Sequence, residues 1–339
     1  MKILIIRPWG KTAFELSRYC SDALEQIGHT VGIFTYNDER ISSRVPLLKN
    51  VERALTRKFL MKKISVFAPQ LILVIKGDRI HLEVILNVKE RFRIPIANYW
   101  IDDPHYVDVS RTISPSYDFF FTNDPDCVQI HKESGCPHVG FLSFGCVSNL
   151  HRKVQLSQEE YKEYGSDICF AGTVSEGRLE ALETLSDYDL RIWSPRVVFS
   201  FKEDYQIVRN ALPASSPLYD KFTNRAVWGE ELVKVYNASK IVLNIHSPQP
   251  VPIMRDFEVT GCGAFLLTDY ARELETMFKP GKEIACANSM DQLREMVDYY
   301  LTHSKERDEM ARKGQERAYR DHTYVTRMQE LISFVQDNN

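Results

Sequence analysis

Short apolar runs alternate with amphipathic segments along the first half of the chain. Runs at residues 2–6, 29–35, 70–75, 95–100 and 118–122 predict strands, while residues 12–27, 51–67 and 80–91 have helical spacing, and a further helix starts near Asp124. Strands that are apolar throughout are typical of parallel sheets covered on both faces. The pattern therefore predicts a doubly wound α/β domain.

The alternation stops at residues 144–165, a polar stretch without a strand signal, and then resumes. Strands are predicted at residues 167–171, 190–193, 240–245 and 264–268, and helices at 176–185, 230–238, 255–261 and from 305 onward. Ser289 and Gln292 have the spacing of a capping box, and residues 193–227 give no clear pattern. At about 150 residues per domain, 339 residues fit two such domains joined by the polar stretch.

Composition narrows the class of protein. Hydrophobic residues make up 44% and charged residues 26%, which is typical of a globular domain. A net charge of -3 disfavours an extended nucleic-acid interface. No apolar run approaches the roughly 18 residues that cross a bilayer, and the start lacks the long apolar core of a secretion signal. Seven scattered cysteines without a C-x-x-C pair indicate reduced thiols, so we expect a cytoplasmic protein.

The most informative segment is 241–270. Its pattern predicts, in order, a strand, a proline-rich loop, a short helix, a pair of glycines and a second strand. The helix starts near Met254, where free N–H groups favour an anion such as a diphosphate. Arg255 would add donors suited to phosphate, and Glu258, three residues on, can face the same side and suits ribose hydroxyls. A helix end with a surface ion pair is the alternative, and the residues alone leave the two open.

The residues of this segment also resemble a family. The chain is similar here to CgeB-like (spore-maturation-type) glycosyltransferases, which are related to the GT4-like enzymes. The similarity lies in the order of the motifs L-N-I-H, M-R-x-F-E, G-A-F-L-L-T-D and F-x-P-G-K-E-I, and in the terminal group Arg317, His322, Thr323, Tyr324 and Arg327. The resemblance covers residues 167–335 best.

The resemblance implies a GT-B fold, in which two Rossmann-like domains face a cleft. Residues 1–147, with a C-terminal helix at about 320–339 returning to them, would form the acceptor-side domain, and residues 148–319 the donor domain. It further implies sugar transfer from a UDP-, GDP- or dTDP-sugar to a glycan, protein, lipid or other hydroxyl acceptor, with retention of configuration and without a metal or other cofactor.

Site residues follow from the same resemblance. Glu258 matches a ribose-binding glutamate, Arg255 and Met254 would lie at the diphosphate, and His246 near the phosphates or the sugar. One position departs from the pattern, because Pro250 stands where related retaining enzymes often have a second glutamate.

Four further residues follow strands of the second domain. Gly172 allows a tight turn after a strand, and Arg178 on the next helix could face the donor phosphates or simply be solvated. Trp193 and Ser194 follow another strand, where a base-binding loop would lie, although a lone Trp is more often a core residue.

In the first half, Asp102 and Asp103 follow a buried strand, in a W-x-D-D-P sequence that resembles the same family. A carboxylate there could orient or deprotonate an acceptor hydroxyl, or it could close an Asp-Pro turn. The loop of Trp9, Gly10 and Lys11 follows the first strand and is a candidate cleft loop.

Asp124-Pro125-Asp126 has the D-x-D spacing of a metal site, but Asp124 is better placed as a helix cap, so no metal site is predicted. The favoured function is glycosyl transfer. A non-catalytic nucleotide-sugar or glycan-binding module, suggested by Pro250, and a GT-B-type sugar-nucleotide epimerase are the alternatives.

Overall fold

The structure is a computed structural model that describes residues 1–8, 11–36, 48–78, 80–201, 207–246 and 251–338. The chain divides into two compact units. Unit 1 consists of Met1–Ser143 and Tyr324–Asn339, and unit 2 of Phe144–Thr323. Among the described residues, no helix combines the length and apolar character that crossing a bilayer requires.

Unit 1 is built on a six-stranded parallel sheet with the order β2-β1-β3-β4-β5-β6. Its strands are β1 (Lys2–Pro8), β2 (Thr30–Tyr36), β3 (Leu71–Ile75), β4 (Ile96–Tyr99), β5 (Phe119–Thr122) and β6 (His138–Phe141). Its helices are α1 (Lys11–Gln26), α2 (Leu48–Phe67), α3 (Leu82–Phe92), α4 (Val107–Ile113), α5 (Cys127–Glu133) and, from the far end of the chain, α13 (Tyr324–Asp337).

The core of unit 1 follows from its apolar strands. Every residue of β3 and of β4 is buried. The helix α13 belongs to this core because its Met328 and Leu331 are completely buried and its Tyr324 ring packs 5.4 Å from that of Tyr19 on α1. The last helix of the chain therefore completes the first unit.

Unit 2 has a five-stranded parallel sheet with the order β14-β13-β12-β7-β9 and a small sheet with the order β11-β10-β8. The strands are β7 (Ser166–Ala171), β8 (Val174–Ser175), β9 (Leu190–Trp193), β10 (Val197–Phe201), β11 (Ile207–Ala211), β12 (Ser239–Asn244), β13 (Leu266–Asp269) and β14 (Ala285–Ala287). The helices are α6 (Gln158–Tyr164), α7 (Glu176–Glu183), α8 (Gly229–Ala238), α9 (Met254–Gly261), α10 (Leu274–Met277), α11 (Met290–Thr302) and α12 (Ser304–Asp321).

Two parallel sheets with intervening helices confirm the predicted α/β class. The pattern had not predicted α4, β6, α6, α10, β14 or the small sheet. At α11, the Ser289 hydroxyl accepts a hydrogen bond from the backbone N–H of Gln292 at 3.1 Å, as a helix cap should. The Gln292 side chain accepts from the N–H of Asn288 rather than Ser289, so the capping box is half formed.

Candidate active site

The strand order of unit 2 reverses between β7 and β12. The chain continues from β7 to β9 on one side, and from β12 to β13 and β14 on the other. Parallel α/β sheets bind ligands outside the carboxyl ends of the strands at such a point. We call the group of residues at these two strand ends the switch-point site, and it consists of Gly172, Asn244, His246, Arg255 and Asp256.

Arg255, the second residue of α9, brings a guanidinium group to the end of β7. Its Nη1 donates to Oδ1 of Asn244 at 2.6 Å, and its guanidinium carbon lies 4.6 Å from the centre of the Phe170 ring. Among the residues that the structure describes, its Nη2 has no hydrogen-bond partner. Arg255 is therefore fixed through one nitrogen and can donate to an anion through the other.

Gly172 makes room for this guanidinium. A Cβ atom at this position would lie 1.9 Å from Nη2 of Arg255. The φ angle of Gly172 is +147°, in a region that side chains rarely allow. Both observations require glycine, so the predicted tight turn also creates the close approach of Arg255 to the backbone.

Asn244 links Arg255 to a buried carboxylate. Its Nδ2 donates to Oδ1 of Asp256 at 2.5 Å while its Oδ1 accepts from Arg255. Asp256 Oδ2 accepts from the backbone N–H of Ile253 at 2.8 Å, at the start of α9. Asn244 and Asp256 are completely buried. Because buried polar groups are costly unless paired, these contacts hold the arginine in one position.

His246 lies between two carboxylates. Its Nε2 is 3.1 Å from Asp256 Oδ2, and its Nδ1 is 2.6 Å from Asp269 Oδ1. Burial lowers the pKa of His246, but the two carboxylates outweigh burial and raise the pKa to about 9. The ring is thus an imidazolium at neutral pH and donates from both nitrogens. His246 was predicted to lie near the phosphates or the sugar. Because carboxylates engage both of its ring nitrogens, its contacts indicate a residue that positions Asp256 and Asp269.

The same charges act on Asp256. Burial alone would raise the pKa of its carboxyl group, but His246, the Ile253 N–H and Asn244 together lower it. Asp256 is therefore an anion inside the protein. Its role was not predicted, although it directly follows Arg255 in the sequence.

Arg178 joins the two strand ends through backbone oxygens. Its Nε donates to the carbonyl of Ile245 at 2.7 Å and its Nη1 to that of Thr173 at 2.8 Å. Burial and the nearby Arg255 lower the pKa of Arg178 to about 9, so it stays charged at neutral pH. The arginine is not solvated, because only 8% of it is exposed.

Three cationic side chains lie close together at the switch-point site, namely Arg178, Arg255 and the His246 imidazolium. Asp256 and Asp269 pair with the imidazolium and not with either arginine. Because the two guanidinium groups repel each other, an anion bound here would relieve that repulsion.

Glu258 lies one turn after Arg255 on α9 and is nearly buried. Its Oε1 is 3.9 Å from Nε2 of His151. Nδ1 of His151 accepts from the backbone N–H of Val147 at 3.0 Å, which places the proton of a neutral ring on Nε2, facing Glu258. His151 was not predicted, because it lies in the polar stretch before α6, where no motif marks it.

Gly261 explains how this polar stretch reaches α9. A Cβ at Gly261 would lie 2.7 Å from Cβ of Cys146 and 3.1 Å from Cβ of His151. Glycine therefore allows the segment that carries His151 to pack directly against α9.

Trp193, Ser194 and Met254 have different environments. Trp193 is buried, its ring lying 5.8 Å from that of Tyr164 and 4.9 Å from the Arg225 guanidinium, as expected of a packed side chain. The Ser194 hydroxyl is buried and has no hydrogen-bond partner among the described residues. Met254 is half-buried at the first position of α9.

In unit 1, Asp102 follows β4 and pairs with a lysine that follows β3. Nζ of Lys76 lies 2.7 Å from Oδ2 of Asp102 and 3.7 Å from Oδ2 of Asp78. The Asp102 side chain is 27% exposed. Lys76 was not predicted, although its place directly after an apolar strand is the same signal that identified Asp102.

Asp103 has the opposite environment, since its side chain is completely buried. Oδ1 accepts from the hydroxyl of Ser110 at 2.6 Å, and Oδ2 accepts from the hydroxyl of Thr122 at 2.7 Å. Nε2 of His131 lies 2.8 Å from the same Oδ2. These contacts favour a structural role for Asp103 and leave Asp102 as the carboxylate of the pair that reaches solvent.

The remaining candidates are less informative. Trp9, Gly10 and Pro250 lie outside the described residues, as does the side chain of Lys11, the first residue of α1. Asp124 Oδ1 accepts from the backbone N–H of Asp126 at 3.1 Å. Within the described part of the chain, no group of three or more His, Cys, Asp or Glu side chains is arranged to hold a metal ion.

Comparison with known proteins agrees with this architecture. Over 99% of its length the chain superposes on sucrose-phosphate synthase of Thermosynechococcus elongatus, with a TM-score of 0.69, 12% identity and 98% of that chain covered. It superposes equally completely on HepE of Anabaena in complex with UDP and glucose, with a TM-score of 0.67, 14% identity and 100% of that chain covered. The chain has the GT-B fold.

Sequence comparison adds the family resemblance. Residues 176–333 of this GT-B protein match a family model described as glycosyl transferase-like. Spore protein CgeB of Bacillus subtilis (strain 168) is 22% identical over 266 residues, which cover 74% of this chain and 78% of the relative. The resemblance to CgeB-like glycosyltransferases is confirmed. The matched region includes Arg178, His246, Arg255 and Glu258.

Proposed function

We propose that this GT-B protein transfers a sugar from a nucleoside-diphosphate sugar to an acceptor hydroxyl. The observation that carries the proposal is the Arg255 guanidinium, held by Asn244 against Gly172 at the carboxyl ends of β7 and β12. The family resemblance and the UDP complex of HepE support a nucleotide-sugar donor, and a UDP-sugar is the first to test.

The chemistry requires stabilisation of a leaving group. As the bond to the sugar breaks, the nucleoside diphosphate gains negative charge, and donors fixed in advance lower the energy of that charge. We propose that Nη2 of Arg255 and the N–H groups at the start of α9 contact the diphosphate. His246 contributes positive charge without touching the diphosphate, because both of its ring nitrogens are engaged within the protein. Arg178 adds the charge of a guanidinium group that is fixed through Nε and Nη1.

Glu258 is proposed to bind the donor ribose. Its carboxylate is nearly buried on the helix that carries Arg255, and the Nε2 proton of His151 would fix its orientation. In unit 1, Asp102 is proposed to orient or deprotonate the acceptor hydroxyl, with Lys76 holding the carboxylate in place through their ion pair.

We further propose that transfer needs no metal ion, because the two arginines and α9 supply the positive charge, and that it retains configuration, following the resemblance. Transfer that persists in the presence of a chelator would support the first point, and the anomeric coupling constant of the product, measured by NMR, decides the second.

The decisive experiment titrates the protein with UDP, GDP and dTDP in a calorimeter and then measures turnover of the matching sugars. Arg255→Ala should abolish most of the affinity, and Arg255→Lys should restore only part, because an ammonium group cannot replace both guanidinium contacts. The proposal would be refuted if none of UDP, GDP and dTDP binds. A bound donor with neither transfer nor hydrolysis would indicate a binding module, and a changed sugar without acceptor would indicate an epimerase.

A further inference from the structure

The helix α2 of unit 1 has two apolar faces, only one of which is buried. Leu60 and Ile64 are buried in the core of unit 1, and Phe67 packs against that core. Val51, Leu55, Phe59 and Val66, in contrast, are between 46% and 76% exposed. We call these four residues the outer face of α2.

The outer face lies on one side of the helix, with Val51, Leu55 and Phe59 adjacent at i+4 spacing and Val66 beyond Lys62. At 3.6 residues per turn, its four residues fall within an arc of about 80°, on the side of the helix opposite to Leu60 and Ile64. A contiguous exposed apolar stripe on a helix marks an interaction site, whereas single exposed apolar residues are common.

Positive charge accompanies this stripe. Lys62 lies within the same arc, and Lys58 and Lys63 lie at its edges, within about 40° of it. Lys58 and Lys62 are exposed and Lys63 is half-exposed. Residues 48–67 contain six basic residues and one acidic residue, in a chain whose net charge is -3. The positive charge is therefore a local property of α2.

We propose that the outer face of α2 binds the surface of an anionic lipid bilayer. Apolar side chains that enter the headgroup region, with lysines that contact lipid phosphates, are the features by which a helix lies on a membrane. The long methylene stems of the lysines allow their ammonium groups to reach the phosphates while Phe59 and Val66 enter the apolar layer.

A second copy of the chain fits the outer face less well. In a symmetric dimer the same surface meets itself, which would bring the three lysines of each copy together. Such like-charge contacts oppose association, whereas an anionic surface attracts all of them at once. This inference does not depend on the proposed sugar transfer, and either can fail without the other.

The test is co-sedimentation of the full chain with phosphatidylcholine–phosphatidylglycerol vesicles, compared with vesicles of phosphatidylcholine alone. Binding should require the anionic lipid and weaken as salt is added. Two variants should each weaken vesicle binding by about tenfold or more. One is the double variant Phe59→Ser with Val66→Ser, and the other is the triple variant Lys58→Gln, Lys62→Gln and Lys63→Gln. All five side chains reach solvent, so the fold and nucleotide binding should be unchanged.

Leu86 on α3 is the matched control, because it is 51% exposed on another helix of unit 1. Leu86→Ser should leave vesicle binding unchanged. Failure to bind anionic vesicles, equal binding to neutral vesicles, or equal loss with Leu86→Ser would each overturn the proposal. So would concentration-dependent self-association that the Phe59 and Val66 changes abolish, which would assign the outer face to a second copy of the chain.

Discussion

Replacing Gly172 by alanine adds a single methyl group and should remove the contribution of Arg255 to donor binding. The new Cβ would lie 1.9 Å from Nη2 of Arg255, so the guanidinium would have to move. The φ angle of +147° would also become strained. The substitution therefore acts on the switch-point site from the backbone side, without changing any charged residue.

Two separate magnitudes follow. Backbone strain of this kind costs about 1–3 kcal/mol of stability. A charge-assisted hydrogen bond contributes about 1.5–3 kcal/mol, so losing the Arg255 contact to a diphosphate should weaken binding roughly 10- to 150-fold. The Tm should fall by several degrees, but the fold should remain.

The assay is calorimetric titration with UDP, or with whichever nucleoside diphosphate the wild type binds. Gly177→Ala is the matched control, since Gly177 is exposed on α7 and a Cβ there meets no atom within 4 Å. That change should leave affinity unaltered and increase stability by about 0.5–1 kcal/mol. The double variant Gly172→Ala with Arg255→Ala should bind no more weakly than Arg255→Ala alone, because both changes remove the same contact.

Two results would refute this reasoning. One is wild-type affinity in a folded Gly172→Ala protein, which would mean that Nη2 of Arg255 does not contact the nucleotide. The other is additive loss in the double variant, which would mean that Gly172 acts on binding independently of Arg255.

Three further outcomes are expected. The pKa of His246 is raised from 6.5 to about 9 in the folded protein, so its stabilising contribution is complete below pH 6.5 and is lost as the pH rises through 9. The difference in unfolding free energy between wild type and His246→Gln, measured by urea unfolding, should therefore shrink by about 3 kcal/mol over this range. A difference that does not depend on pH would contradict the imidazolium assignment. Glu258→Ala should weaken donor binding about tenfold or more with the circular dichroism spectrum preserved, and unchanged affinity would exclude a ribose contact. Asp103→Asn should lower the free energy of unfolding by about 3 kcal/mol, because it disrupts a buried network. Asp102→Asn should instead lower turnover with little change in Tm. The reverse pattern would assign the structural role to Asp102 and the catalytic role to Asp103.

The sheets could be predicted because parallel strands are apolar on both faces. Residues 70–75 read as a strand from their composition alone, and β3 occupies Leu71–Ile75. The strand β11 was missed because it lacks that signal. Four of its five residues are exposed and Val208 is half-buried, and Arg209 and Asn210 interrupt the apolar run. The helix α6 was missed although Ser157 and Glu160 form a complete capping box, because the surrounding polar stretch suggested a connection.

The candidate site could be predicted only in part. Arg255 stood out because a basic residue begins a helix after a strand and a loop. Its partner Asn244 is eleven positions earlier, at the end of β12, and meets it because α9 begins beside that strand end, which the spacing of residues does not reveal. His246 could be identified as a polar residue after a strand, but not as an imidazolium between Asp256 and Asp269, since Asp269 belongs to a different strand.

Asp103 shows the same limit in unit 1. An aspartate before a proline at a strand end suits a turn as well as a catalytic base. The hydroxyl groups that bury it come from Ser110 on α4 and Thr122 on β5, and the imidazole comes from His131 on α5. Only the packing of these elements decides that the carboxylate faces inward.

The order of the units along the chain has a consequence for biosynthesis. Unit 2 is one uninterrupted segment, Phe144–Thr323, whereas unit 1 needs Tyr324–Asn339, which follows unit 2. A ribosome therefore finishes the whole of unit 2 before unit 1 has its last helix. Unit 2 can therefore fold before unit 1 is complete. The side chains of unit 1 that pack against α13, such as Tyr19, lack that contact until translation passes residue 323.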